Sequence, residues 1–113
     1  MLRSFLRAKI HLATITGADP DYEGSIAICP ALLERAGIAP NEQVDVYNRD
    51  NGERLTTYAI AGEPGEICLN GAAALKCRPG QRVIIACYCL LAPDEVASHA
   101  PRVVLAGPDN RPG

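Results

Sequence analysis

Frequent turns constrain this chain more than any other feature of its sequence. Asp19-Pro20, Asp50-Asn51-Gly52-Glu53, Asn70-Gly71 and Arg78-Pro79-Gly80 each interrupt it, and such clusters are where an extended chain reverses. Between them lie short alternating or apolar runs that read as strands: Leu6 to Thr16, Tyr22 to Cys29, Gln43 to Arg49, Arg54 to Ala61, Glu66 to Leu69, Gln81 to Leu91 and Arg102 to Ala106. Gly17 to Asp21 reads as loop. Pro30-Ala31-Leu32-Leu33-Glu34-Arg35-Ala36-Gly37 has Pro at a helix start and Gly just past its end, which predicts a two-turn helix. Ala72 to Lys76 and the stretch from Asp94 read as single helical turns. Many short strands with few helical residues point to a mainly β protein, closed or sandwich-like, because closure leaves no unpaired strand edge.

The composition narrows the class. Of 113 residues, 48% are hydrophobic and 21% charged, an ordinary balance for one folded domain. Residues 1–106 read as that domain. Residues 107–113 hold no large apolar side chain and are expected to form a flexible tail. With 11 Lys+Arg against 13 Asp+Glu, the chain lacks the basic surplus that binding to nucleic acid phosphates calls for. Arg7 and Lys9 interrupt the N-terminal apolar run, and no stretch reaches the ~20 apolar residues of a bilayer span. A cytoplasmic protein is expected. One Phe, four Tyr and no Trp leave the core to Val, Ile, Leu and Ala, and so thin a supply favours sharing apolar surface with another subunit. The five cysteines, Cys29, Cys68, Cys77, Cys87 and Cys89, show no zinc-type spacing and read as small packing residues. Val83 to Leu91 is the most apolar run and reads as a central strand covered on both faces.

The segment Tyr22-Glu23-Gly24-Ser25 carries the reactive possibility. Gly24-Ser25 interrupts a strand-like run, and glycine inside a strand often marks unusual backbone geometry. A serine hydroxyl beside a strained peptide can attack that peptide's carbonyl. A flexible joint also accounts for the same two residues.

Five pieces taken in order carry a family resemblance: Lys9-Ile10-His11, Tyr22-Glu23-Gly24-Ser25, Asn51-Gly52-Glu53-Arg54, Thr56-Thr57-Tyr58-Ala59-Ile60 and Asn70-Gly71-Ala72-Ala73-Ala74. Together they resemble the pyruvoyl-dependent aspartate 1-decarboxylases, over Met1 to Glu95. The stretch Gly62 to Glu66 is shorter here than in many members. The resemblance implies a small double-psi β-barrel and a homotetramer of cleaved protomers with sites between subunits. It also implies that L-aspartate is decarboxylated to β-alanine for pantothenate synthesis. The cofactor would be a pyruvoyl group made from Ser25 by self-cleavage after Gly24, giving chains 1–24 and 25–113, with no metal and no pyridoxal phosphate. That keto group would form a Schiff base with the substrate amine and accept the electrons released as CO2 departs.

The resemblance assigns Ser25 and Tyr58 to catalysis, with Tyr58 as the proton donor. It gives Lys9, Arg54, Thr57, Gly71, Ala72 and Ala73 to substrate binding. His11, Tyr22 and Asn70 are supporting residues. The residue types suit these jobs: a guanidinium fork matches a carboxylate, a phenol can deliver a proton, and small residues after Asn70 leave N–H groups free to face an anion. Each also fits a plainer part, as a solvated Arg, a snorkelling Lys, an interface Tyr or an ordinary turn. Tyr58 lies four residues after Arg54, on the same strand face and about 13 Å away. Thr57 points to the opposite face, so either a bulge or a site shared by two subunits is needed to bring both to one substrate. The competing function is an uncleaved, non-catalytic barrel that binds a ligand or partner.

Overall fold

A computed structural model describes residues 1–113. Eight strands form one sheet: β1 (Arg3–Thr14), β2 (Gly17–Asp19), β3 (Ser25–Ile28), β4 (Gln43–Asn48), β5 (Arg54–Ala61), β6 (Ile67–Asn70), β7 (Arg82–Leu91) and β8 (Arg102–Leu105). Their order is β2-β6-β3-β5-β4-β7-β1-β8. Because β1 runs straight into β2, the first strand of that order and the one next to its far end belong to one piece of chain. The Ile15 N–H donates to Gln81 O on the β7 side, and the Thr16 N–H donates to Ile67 O of β6, both at 2.8 Å. The sheet therefore closes into a barrel, with β8 laid parallel to β1 at its outer edge. This is the mainly β, barrel-type fold expected.

The barrel interior is aliphatic. Ile10, Ile15, Ile26, Ile28, Val44, Val46, Ile67, Leu69, Val83 and Ile85 are fully enclosed, and no aromatic ring joins them. One helix, α1 (Pro30–Ala36), adds Leu32 and Leu33 to this core, each contributing about 1.5–3 kcal/mol by leaving water. Pro30 opens it, and Gly37 at φ 70° ends it. The N–H groups of Gly37 and Ile38 there reach the Glu34 and Leu33 carbonyls. 3₁₀ turns follow at Gly71–Lys76, Pro93–Glu95 and Pro108–Asn110.

Four expectations need correction. Gly17–Asp19 is not loop but a short strand parallel to β6. The strand expected from Tyr22 begins only at Ser25, because the Asp19 carboxylate accepts the Asp21 N–H and holds a turn through this stretch. The strand β7 is central, between β4 and β1, but only Val83, Ile85, Ala86 and Cys87 are enclosed. Tyr88 and Leu90 are exposed beyond the point where β4 stops covering them.

The fourth correction concerns residues 107–113, which are anchored rather than loose. Asn110 is buried; its Oδ1 accepts the Thr14 N–H at 2.7 Å and its Nδ2 donates to Thr14 O at 2.7 Å and Gly65 O at 2.9 Å. An absence of apolar side chains predicts mobility only when no polar side chain does the anchoring.

Candidate active site

Strand β3 carries Ser25 at its first position, and β6 runs antiparallel beside it with Asn70 directly opposite. Ser25 is 1% exposed and Asn70 5%. The Asn70 Nδ2 donates to Ser25 Oγ at 3.0 Å, while the Ser25 hydroxyl reaches back to Glu23 O at 3.4 Å. Asn70 stands at the start of the Gly71–Lys76 turn, where an Asn side chain would ordinarily cap the helix. It makes no such cap. Its amide is committed to the serine instead.

Gly71 is held at φ 71°, and a β-carbon there would stand 2.7 Å from Gly24 Cα, 2.9 Å from Gly24 N and 3.2 Å from Tyr22 O. The backbone of the Asn70-Gly71 turn thus packs directly on Gly24, the residue preceding Ser25. On its other side Gly24 faces open space and borders a cavity of about 260 Å³, also lined by Thr57, Asn70, Ala72 and Ala73. Strand β5 lies parallel to β3 with Ile26 opposite Ala59. One position earlier, Ser25 comes level with Tyr58, and Gly24 shares the cavity with Thr57.

The β4–β5 register runs unbroken from Gln43–Tyr58 to Tyr47–Arg54, so no bulge turns Thr57 towards the Tyr58 side. Thr57 lines the cavity beside Gly24, and Tyr58 projects from the opposite face of the same regular strand. Of the expected site residues, Gly24, Ser25, Thr57, Asn70, Gly71, Ala72 and Ala73 therefore gather in one place, with the Tyr22 carbonyl beside Gly71, while Tyr58 is exposed on the other face of β5.

Lys9, His11 and Arg54 do not join them. Lys9 pairs with Ala86, Ala86 with Asp45, and Asp45 with Thr56, a row crossing β1, β7, β4 and β5. Three strand spacings of ~4.8 Å already separate Lys9 from β5, and side chains on the outside of a closed barrel splay apart. Arg54 shares the Tyr58 face, four residues and about 13 Å further along. His11 falls in a β-bulge, where β1 slips register between Ile10 and Ala13 and Leu12 takes φ 59°. Its Nδ1 is buried without a partner.

A second, outward-facing cluster surrounds Arg54, and sequence reading missed most of it. The guanidinium carbon sits 4.3 Å from the centre of the Tyr47 ring, within cation–π range. The Tyr47 hydroxyl bonds that of Tyr88 at 2.8 Å and lies 3.4 Å from Asp45 Oδ2, whose Oδ1 accepts from Thr56 Oγ1 at 2.7 Å. Burial, then the Tyr88 bond, pushes the Tyr47 phenol up to about 12, with Arg54 pulling the other way. Counting outward from Asp50-Asn51-Gly52-Glu53 pairs Arg49 with Arg54, two residues away from the observed Tyr47–Arg54 pairing, so the turn as read did not reveal this stack. Tyr88 sits two strands from Arg54 and had no local signal.

The five cysteines are all free. Burial pushes the Cys87 thiol up to about 11, in keeping with a packing part. No three of His, Cys, Asp or Glu converge in metal-binding fashion, and no helix is long and apolar enough to cross a membrane.

Known proteins resemble the chain over almost all its length. The aspartate decarboxylase family matches residues 1–112. An aspartate 1-decarboxylase of Bdellovibrio bacteriovorus is 54% identical over 108 residues, covering 96% of this chain and 87% of that one. That of Desulfotalea psychrophila is 53% identical over 112 residues, covering 97% and 94%. The Methylibium petroleiphilum enzyme is 52% identical over 113 residues, covering 98% and 94%. A family match over residues 1–112 and identities above one half across nearly the whole chain lead to one conclusion: the chain belongs to the aspartate decarboxylase family.

Proposed function

We propose that this protein removes the α-carboxylate of L-aspartate as CO2 and leaves β-alanine, using a pyruvoyl group that it makes from its own Ser25. The observation that carries the reading is a buried serine hydroxyl, hydrogen-bonded by Asn70, following a glycine peptide pressed against Gly71. Family membership supports the substrate and the reaction. With it come a supply of β-alanine for pantothenate synthesis and a cytoplasmic setting.

In the maturation step, Ser25 Oγ attacks the Gly24 carbonyl carbon, the Gly24–Ser25 amide bond breaks, and an ester forms with a free amine on Ser25. Loss of the Ser25 Cα proton then expels the Gly24 carboxylate from Cβ. The resulting dehydroalanine takes up water and releases ammonia, leaving a keto group on the 25–113 chain. Asn70 Nδ2 faces Ser25 Oγ and stabilises the negative charge that this oxygen takes up when it leaves Cβ within the Gly24 carboxylate. The surroundings fit such a group: a small cavity borders the adjoining Gly24, with Ala72 and Ala73 small on one side and Leu55 and Lys76 completing its lining. Once formed, the pyruvoyl group supplies an electron sink for the carbon–carbon bond that breaks when CO2 leaves.

The remaining residues divide by reach. Tyr58, level with position 25, returns a proton to the α-carbon after decarboxylation, a general-acid step within a phenol's capacity. Thr57 and the N–H groups from Gly71 to Ala73 border the cavity from the other side and hold the substrate. Lys9 and Arg54 are too far off within one chain, so a second copy brings its own Lys9 and Arg54 to the substrate carboxylates, consistent with a homotetramer whose sites lie between subunits. His11 accompanies Lys9 on that contributing face.

Denaturing electrophoresis with a carbonyl-reactive probe tests the reading. The wild-type chain separates into residues 1–24 and a labelled 25–113 fragment and releases CO2 from aspartate, whereas Ser25→Ala stays intact, unlabelled and inactive. An intact wild-type chain with no CO2 release would overturn it and leave the uncleaved binding module.

A further inference from the structure

We propose that Cys68 is a positioning residue for Ser25, acting through the side chain of Asn70. The inference rests on self-cleavage at Ser25 and adds a residue to it.

Cys68 and Asn70 alternate along β6 and therefore project from the same face, opposite Ala27 and Ser25 of β3. The Cys68 thiol donates to Asn70 Oδ1 at 3.4 Å, and Asn70 Nδ2 donates to Ser25 Oγ at 3.0 Å. Asn70 is almost wholly enclosed, so water does not replace either bond. A primary amide is nearly symmetric in shape, and its two ends are told apart only by what they touch. A thiol that donates a proton selects the oxygen end. The nitrogen end is then left facing the serine.

The orientation decides whether Asn70 helps or hinders. With Nδ2 towards Ser25, a donor meets the oxygen as it loses its proton and again as it takes up negative charge on leaving Cβ within the Gly24 carboxylate. With the amide reversed, a carbonyl oxygen would oppose that charge. Burial, together with the Glu66 and Asp19 carboxylates, raises the thiol's pKa, so Cys68 keeps its proton at neutral pH. Gly17 leaves room for the sulfur: a β-carbon there would lie 3.3 Å from Sγ.

The test compares Cys68→Ser, Cys68→Val and Cys68→Ala in freshly made, uncleaved chains. Serine retains a donor and valine retains the volume without one. Self-cleavage is expected to slow about fivefold or more in the valine and alanine variants, the scale of one lost hydrogen bond, and to stay within about twofold of wild type for serine. The Asn70 side-chain amide protons, followed by NMR in the same precursors, are expected to exchange faster in the valine and alanine variants only. A valine variant that cleaves and exchanges like wild type overturns the proposal, and so does a serine variant as slow as valine. A wild-type chain that never cleaves would defeat the self-cleavage reading alone, and the amide exchange would still decide the part played by Cys68.

Discussion

Gly71 and Gly24 touch through their backbones, with no room for a β-carbon on Gly71: it would lie 2.7 Å from Gly24 Cα. The converse does not hold, since a β-carbon on Gly24 meets nothing within 4 Å. Gly71→Ala is therefore expected to destabilise the protein by about 1–3 kcal/mol, through both the contact and the left-handed backbone, and to impair cleavage. Gly24→Ala should fold with a melting temperature near that of wild type. Thermal unfolding of the two variants side by side checks the asymmetry.

Tyr58→Phe separates maturation from turnover. Ser25 and Asn70 do not touch its hydroxyl, so cleavage should proceed at about the wild-type rate. Decarboxylation should fall by about 10²–10⁴, the usual worth of a positioned general acid. Fragment formation by electrophoresis and CO2 release, measured on one preparation, report the two steps independently.

The separation of Arg54 from Ser25 within one chain predicts complementation. Ser25→Ala and Arg54→Ala chains should each be inactive alone. Co-expressed, they should regain part of the wild-type activity, because a mixed assembly can join an intact Ser25 from one chain to an intact Arg54 from another. Mixed assemblies as inactive as the parents would place both residues in a single chain's site.

Tyr47 sets an alkaline limit on stability. Its phenol is raised to about 12 in the folded chain, against about 10 when unfolded. The folded form thus holds its proton where the unfolded form has lost it. The contribution is complete below pH ~10 and is lost as pH rises from there through about 12. Tyr88→Phe removes the hydroxyl partner and should lower the Tyr47 midpoint, visible in tyrosinate absorbance, and shift the alkaline unfolding curve accordingly.

Asn110→Ala should release the C-terminal turn. Three hydrogen bonds to Thr14 and Gly65 are lost, two carbonyls and one N–H are left without this partner, and a loss of about 1–3 kcal/mol is expected. Denaturant titration, together with faster amide exchange at Thr14, measures it.

Much of the local structure was legible because its causes are local. Pro30 and Gly37 bound a helix by their own backbone preferences, and Asp50-Asn51-Gly52-Glu53 turns the β4–β5 hairpin whatever surrounds it. Gly24-Ser25 and Asn70-Gly71 stood out as breaks in otherwise regular runs. Where a single side chain imposed the structure, the reading failed: the Asp19 carboxylate holds the turn that delays β3, and Asn110 ties down the C-terminal segment. Polar anchors of this sort depend on what lies across the fold, and residue type does not reveal it.

The sequence by itself determined the class of fold, an aliphatic β domain dense in turns, and singled out the peptide where chemistry would reside. Only the tertiary structure decided which residues share that chemistry. The parallel β3–β5 register brings Tyr58 level with Ser25, folding sets Thr57 and Gly24 on one cavity, and the β3–β6 pairing turns the Asn70 amide from a helix cap into a partner for the serine. Barrel closure carries Lys9 and Arg54 away, and it stacks Arg54 on a Tyr47–Tyr88 pair. Strand register and closure are set by contacts between residues distant in the chain, and no local pattern of residue types encodes them.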